Sequence, residues 1–214
     1  MDLEEQNRPM KSRFKKFGGA EIEDVGAYLR ASLSQYPQTS VYVGTDSKQK
    51  PGGVLYATCI CLYDEIRKDG VHFIFKREKE EGRIDLFTRM WREMEKSVEV
   101  ADYLETELEG HLKRYTIEDL MVMKNYDGGY FKIHQSKLCV IDVDVNPEPG
   151  GGKNLSNVAY ETIRGTLIGM GYRARFKGEG EAGAMAASSA ADVLCNKNKR
   201  SNKGWKKKKL RRAA

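Results

Sequence analysis

The stretch VYVGTDS, residues 41–47, decides how the rest of the chain is read. Val41, Tyr42 and Val43 are residue types that favour a pleated, half-buried surface, and Asp46 and Ser47 close the run. Side chains alternate along a strand, so Gly44 and Asp46 share a face. Gly44, lacking a side chain, is expected to leave room beside Asp46 for a metal or a phosphate. The competing account is a strand ending in an Asx-type turn, which Asp and Ser both favour. A second run, LCVIDVD at 138–144, is apolar except for its acids, as a central strand would be. Asp142 and Asp144 lie on one face of it, about 7 Å apart at ~3.4 Å per residue. Two like charges held there raise a carboxylate pKa unless a cation or donor is present. The alternative is an exposed strand end with both acids paired to lysines.

Around these runs the periodicity predicts the order βββαβαβα behind a leading helix. Ile22, Val25, Leu29 and Leu33 recur at helical spacing and Pro37 stops that helix. The first strand spans 41–46, SKQKPGG supplies a turn, and strands follow at 54–63 and 71–77 as an antiparallel meander. A long helix is expected from Ile84 to Glu109, with Phe87, Met90, Met94, Val98, Ala101 and Leu108 as its apolar stripe. Glu93 borders that stripe beside Leu86, Met90 and Ser97, and most helix glutamates at such positions are solvated. Residues 110–136 are ambiguous: IEDLMVM fits a helix and YDGGY a turn. The loop NPEPGGGKN leads to a helix at 155–170 and a short strand at 172–177. After the loop EGEAG, the small-residue run AMAASSAADVLC reads as a helix packed closely on the sheet, carrying Asp192. There is no internal repeat.

Composition limits the function classes. A chain of 214 residues, 40% hydrophobic and 32% charged, fits one domain with a sizeable core and an appendage. The net charge of +6 hides an asymmetry. Residues 196–214 hold ten basic groups and no acid: Lys197, Lys199, Arg200, Lys203, Lys206, Lys207, Lys208, Lys209, Arg211 and Arg212. Residues 1–195 therefore hold 27 basic and 31 acidic groups, a net of −4. Such an arm reads as a nucleic-acid-binding tail, without a core of its own and disordered until it binds. No apolar run approaches the roughly 20 residues that span a bilayer, and the N-terminus lacks the apolar core of a secretory signal. The expected setting is cytoplasmic. Cys59, Cys61, Cys139 and Cys195 form no CxxC pair and read as buried reduced thiols. His72, His111 and His134 are too dispersed for a zinc site. NPEPGGGKN fails as a P-loop, because Pro147 and Asn154 stand where Gly and Ser or Thr are needed. Lys153 in that loop is instead a candidate phosphate contact.

Strand Asp46, two further strands, helix Glu93, strand Asp144 and helix Asp192, in that order, resemble the ribonuclease H-like superfamily. The closest resemblance is to the YkuK-type ribonuclease H-like family, over about residues 20–195. It is carried by VGTDS (43–47), by Glu93, Ser97 and Ala101 at four-residue spacing, by Asp142-x-Asp144, and by AASSAAD (186–192). The family usually has His-x-Asp at 142–144 and a Lys-Pro segment before AASS, where this chain reads GEGEAGAM; residues 107–137 run longer than usual.

The resemblance implies an α/β fold: a central mixed five-stranded sheet, three antiparallel strands then parallel ones, with helices on both faces. It implies a domain at 20–195, which the polar stretch 1–19, ending at Gly18-Gly19, precedes as a lead-in and the basic tail at 196–214 follows. It also implies a hydrolase using two Mg²⁺ or Mn²⁺ ions to cleave phosphodiester bonds of RNA, DNA or their hybrid. Asp46, Glu93, Asp144 and Asp192 would be the catalytic metal ligands, with Asp142, Ser47 and Lys153 as accessory candidates. Two alternatives share the fold: a nucleic-acid-binding protein that cleaves nothing, and a junction resolvase or exonuclease.

Overall fold

The structure, a computed structural model, describes residues 14–36, 39–63, 71–111, 121–124, 130–133, 137–145, 157–177 and 186–196. In chain order the elements are β1 (Lys15–Lys16), α1 (Val25–Gln35), β2 (Ser40–Lys50), β3 (Gly53–Tyr63), β4 (Val71–Glu80) and α2 (Leu86–Glu107). They continue with β5 (Met121–Lys124), β6 (Tyr130–Ile133), β7 (Val140–Val143), α3 (Asn157–Gly169), β8 (Arg173–Phe176) and α4 (Ala186–Asn196). The main sheet runs β1-β4-β3-β2-β7-β8, antiparallel from β1 to β2 and parallel from β2 through β7 to β8.

The mixed α/β arrangement agrees with the sequence expectation, but the sheet has six strands, not five. The extra one is the two-residue edge β1, whose Lys15 and Lys16 pair with Phe75 and Ile74. Two lysines carry no strand signal; backbone pairing and the burial of neighbouring Phe14 hold them in place. These residues belong to the stretch read as a lead-in. The ambiguous region also resolves partly: β5 and β6 pair as a separate antiparallel ribbon, so Met121–Lys124 is a strand where a helix was one option. The proposed YDGGY turn, the loop with Lys153, the EGEAG loop and the basic residues at 197–212 lie outside the described residues.

β2 does not stop at Asp46. It continues to Lys50, paired with β3 in unbroken register from Ser40↔Tyr63 to Lys50↔Gly53 around a tight turn with Gly52 at φ 78°. Lys48, Gln49 and Lys50 satisfy their backbone on β3 while their side chains stay outside the core, so polarity does not end the strand.

Alternation on the strands makes two cores. Val41, Val43, Ile60, Leu62, Ile74, Ile141 and Val143 pack under α1, α2 and α3, whereas Tyr42, Ala57, Cys59, Cys61 and Val140 pack under α4. All four cysteines are free and buried. α2 starts on a side-chain cap, with Thr88 N donating to Asp85 Oδ1 at 3.0 Å. Its buried face differs from the expected stripe. Glu93, Ser97, Val100 and Leu104 lie inward with Met90, Met94 and Ala101, while Phe87 is 42% exposed. The helix is turned this way because the sheet beneath is polar at this level. Ser97 Oγ lies 2.9 Å from Thr45 Oγ1, which lies 3.0 Å from Thr58 Oγ1, so buried hydroxyls satisfy one another.

Candidate active site

The site forms where β2 loses its parallel neighbour. Among the described residues β7 pairs with Tyr42, Val43 and Gly44 and none pairs with β2 on that side at Asp46, although the strand continues. Asp144 follows the last residue of β7. In open α/β sheets the crevice beyond the carboxyl ends of parallel strands is the usual ligand position. Asp46 lies on the α4 face of β2, where Asp192 projects from α4; Glu93 comes from α2 on the other face.

Neighbouring acids act on both Asp46 and Glu93. Burial pushes Asp46 up to about 6, reinforced by the charges of Asp192 and Asp144 and opposed by the Ser47 backbone N–H and by Arg89. Burial pushes Glu93 up to about 8; the Ser47 hydroxyl and Arg89 pull it down, and Asp46 and Asp144 add to the rise. The Ser47 hydroxyl donates directly to Glu93 Oε1. Lys177 Nζ lies 2.9 Å from Asp144 Oδ1, and its pKa is raised by that contact and by the charges of Asp144, Asp192 and Asp46. Asp192 is exposed, and its carboxylate accepts from Asn196 one turn on. Cys195 Sγ lies 3.1 Å from the Asp46 carbonyl oxygen and ties α4 to β2; burial pushes this thiol up to about 12.

Thus Asp46, Glu93, Asp144 and Asp192 share one electrostatic neighbourhood. Among the described residues, however, no three His, Cys, Asp or Glu side chains stand close enough together to hold a metal ion as they are. The donor chemistry suits a hard divalent cation, since all four groups are carboxylates and like charge has accumulated around Asp46. The alternative of a lysine-paired strand end holds for Asp144, through Lys177, and not for Asp142.

Asp142 has a different task from Asp144. It is 1% exposed and receives Arg175 Nε at 2.8 Å and Nη2 at 2.7 Å on Oδ1. Ala187 N donates to its Oδ2 at 3.0 Å. Burial still pushes it up to about 6 against the pull of Arg175 and of the Ala187 and Ser188 N–H groups. Arg175 in turn lies over the Tyr42 ring, 4.0 Å from its centroid. Asp142 therefore anchors the start of α4, the helix that presents Asp192, to β7 and β8.

The expected space above Gly44 is filled. A Cβ there would come within 2.6 Å of Ser188 N and 2.9 Å of the Ala187 carbonyl carbon. The glycine admits the backbone of α4, not a ligand. The small residues of AASSAAD allow the same close approach from the other side. Sequence reasoning also missed Arg89. It lies one turn before Glu93 on α2, influences both Asp46 and Glu93, and has a buried Nε without a hydrogen-bond partner among the described residues. Its four-residue spacing from Glu93 was the available signal.

A ribonuclease H-like family model matches residues 22–196. The chain belongs to the ribonuclease H-like family. No curated protein and no solved structure matches it. Membership ties the chain to a nucleic-acid-related function and agrees with the mixed α/β sheet. Among the described residues, no helix is long and apolar enough to cross a membrane.

Proposed function

We propose that this ribonuclease H-like protein is a divalent-metal-dependent nuclease that hydrolyses phosphodiester bonds of RNA or DNA. The observation that carries the reading is the placement of acids around Asp46 on β2: Asp144 and Asp192 act on it from the end of β7 and from α4, and it and Asp144 act on the buried Glu93 of α2. Asp46, Glu93, Asp144 and Asp192 would together hold the ions. Mg²⁺ or Mn²⁺ bound there would supply an activated water and stabilise the leaving 3′-oxygen.

The chain's own residues prepare that site. Ser47 fixes the carboxyl of Glu93, and burial holds Glu93 largely protonated at neutral pH while no cation is bound. Lys177 neutralises Asp144 and stands where a phosphate could be received. Arg89 supplies a fixed positive charge to the side of Asp46 and Glu93. Asp142 and Arg175 hold α4 so that Asp192 faces the cluster. The basic residues at 197–212 add salt-sensitive affinity for the backbone. The protein acts within the cell, on nucleic acid.

A second reading, a nucleic-acid-binding protein that cleaves nothing, is favoured by the ion pair of Lys177 with Asp144. Cleavage of a labelled panel of hybrid, duplex, junction and single strands with Mg²⁺ or Mn²⁺ separates the two. Metal-dependent products that disappear in Asp46→Asn support the nuclease; binding without products in any metal supports the second reading.

A further inference from the structure

Strand alternation in FKREKE, residues 75–80, sorts charge onto opposite faces of β4. Lys76, Glu78 and Glu80 face α2 and are mutually satisfied. Lys76 is 2% exposed and lies 3.5 Å from Glu78, Lys96 reaches Glu78 and Glu80 at 3.3 and 3.4 Å, and Arg92 pairs with Glu80. Arg77 and Lys79 face the other way, on the side of Asp46, and both are exposed. No acid shares that face of β4 among residues 73, 75, 77 and 79.

The register relates this face to the carboxylates. Asp46, Ala57 and Arg77 form one cross-strand row, and Lys48, Leu55 and Lys79 form the next. Two strand spacings put Arg77 about 10 Å from Asp46, and Lys79 lies about 7 Å further along β4. α4 lies over β2 and β3 and ends at Asn196, whose amide oxygen accepts from the Lys48 ammonium. The basic tail therefore starts beside these rows.

Aromatic rings continue the surface away from the site. Arg77 lies over Phe75, 5.5 Å from its centroid. Phe17 is 61% exposed and meets Phe73 edge-on at 5.4 Å. Rings interleaved with exposed basic side chains suit a single strand, whose bases stack on rings while its phosphates meet cations. A duplex keeps its bases stacked on one another and would use the cations alone.

We propose that Lys48, Arg77 and Lys79, with Phe17, Phe73 and Phe75, form a binding platform for single-stranded nucleic acid leading to the Asp46 site. The inference rests on the nuclease reading for its class of ligand. Its test does not.

The test is anisotropy of a labelled oligothymidylate, and of its duplex with oligoadenylate, against the full chain in a chelator over a range of salt. Arg77→Gln/Lys79→Gln should weaken single-strand binding and flatten its salt slope by about 0.7 for each phosphate no longer neutralised. Arg77→Lys/Lys79→Arg should preserve the slope. Phe17→Ala should weaken single-strand binding by about 5-fold or more and leave duplex binding unchanged. Melting curves establish that the variants are folded; all substituted side chains are exposed. Unchanged affinity in the glutamine variant, no effect of Phe17→Ala, or equal losses for both substrates in Phe17→Ala would each overturn the platform. Weakened variant binding in a chain that cleaves nothing would leave the platform and remove the nuclease; cleavage with unchanged variant binding would remove the platform alone.

Discussion

The Ser47 hydroxyl donates to Glu93 Oε1, so the residue that follows Asp46 on β2 holds the acid that α2 contributes from the opposite face. One strand thus positions two carboxylates, one through its own side chain and one through its neighbour's. Ser47→Ala should lower Mn²⁺ affinity and cleavage by about 10- to 100-fold, the usual effect of losing a group that orients a ligand. Ser47→Thr, which keeps the hydroxyl, should recover most of both. Calorimetric titration of Mn²⁺ checks the affinity without relying on catalysis.

The four acids should be separable from the fold. Asp46→Asn, Glu93→Gln, Asp144→Asn and Asp192→Asn should each remove detectable cleavage while leaving the circular dichroism spectrum unchanged. Asp46→Asn should also raise the melting temperature of the metal-free chain, because it removes a buried carboxylate that Asp144 and Asp192 repel. Asp142→Ala should behave differently. It leaves Arg175 without its buried partner and α4 without its anchor, a loss of about 3–5 kcal/mol in unfolding free energy. Activity lost in a stable Asp142→Asn and kept in Asp144→Asn would shift the β7 ligand by two residues.

Glu93 and Asp46, together with Asp142, contribute a falling stability with pH in the metal-free protein. Their folded pKa values, about 8 for Glu93 and about 6 for Asp46 and for Asp142, lie above the ordinary carboxylate range near 4. Between those limits the folded chain binds more protons than the unfolded chain, so stability falls as pH rises from about 4 to about 8. A cation that binds the ionised carboxylates should reverse the trend, and its thermal shift should grow across the same window. Glu93→Gln should flatten the upper part of the metal-free curve. A metal-free melting temperature that rose between pH 6 and 8 in the wild type and not in Glu93→Gln would refute the assignment.

Gly44 offers a purely steric test. Gly44→Ala places a Cβ against the backbone of Ala187 and Ser188, which cannot move aside as a flexible side chain would. Overpacking of this kind costs about 1–3 kcal/mol. Denaturant unfolding should show that loss, and cleavage should fall with it because α4 carries Asp192. Wild-type stability would mean that α4 sits higher on the sheet.

The order of strands and helices was legible because each rests on local pattern: β-branched runs and a helical apolar period. Asp46 and Asp144 became candidates as acids in such runs, whereas Glu93 was named only through the family resemblance. What escaped depends on contacts distant in sequence. Glu93 looks like a solvated helix residue until Ser47, Thr45 and Thr58 are placed beneath α2. Gly44 looks like space until α4 returns over it. The difference between Asp142 and Asp144 is invisible in a strand where both share a face, since it depends on Arg175 and the start of α4. β1 escaped because two lysines at an edge carry no apolar signal.

The basic tail makes the last prediction. Lys197, Lys199, Arg200, Lys203, Lys206, Lys207, Lys208, Lys209, Arg211 and Arg212 follow α4 in the sequence, and the last residue of α4, Asn196, accepts from Lys48. Removing residues 197–214 takes the net charge from +6 to −4 and leaves every candidate ligand in place. On duplex DNA each phosphate contact contributes roughly 0.9 to the slope of log affinity against log salt, so ten basic groups set a ceiling on the tail's share. The segment should use only some of them, since not every basic group need meet a phosphate at once. The truncated chain should therefore bind more weakly at moderate salt with a shallower slope, yet cleave at low salt, where residual contacts suffice. Measuring affinity against salt for both chains decides the matter: parallel lines would show that the tail takes no part in substrate binding.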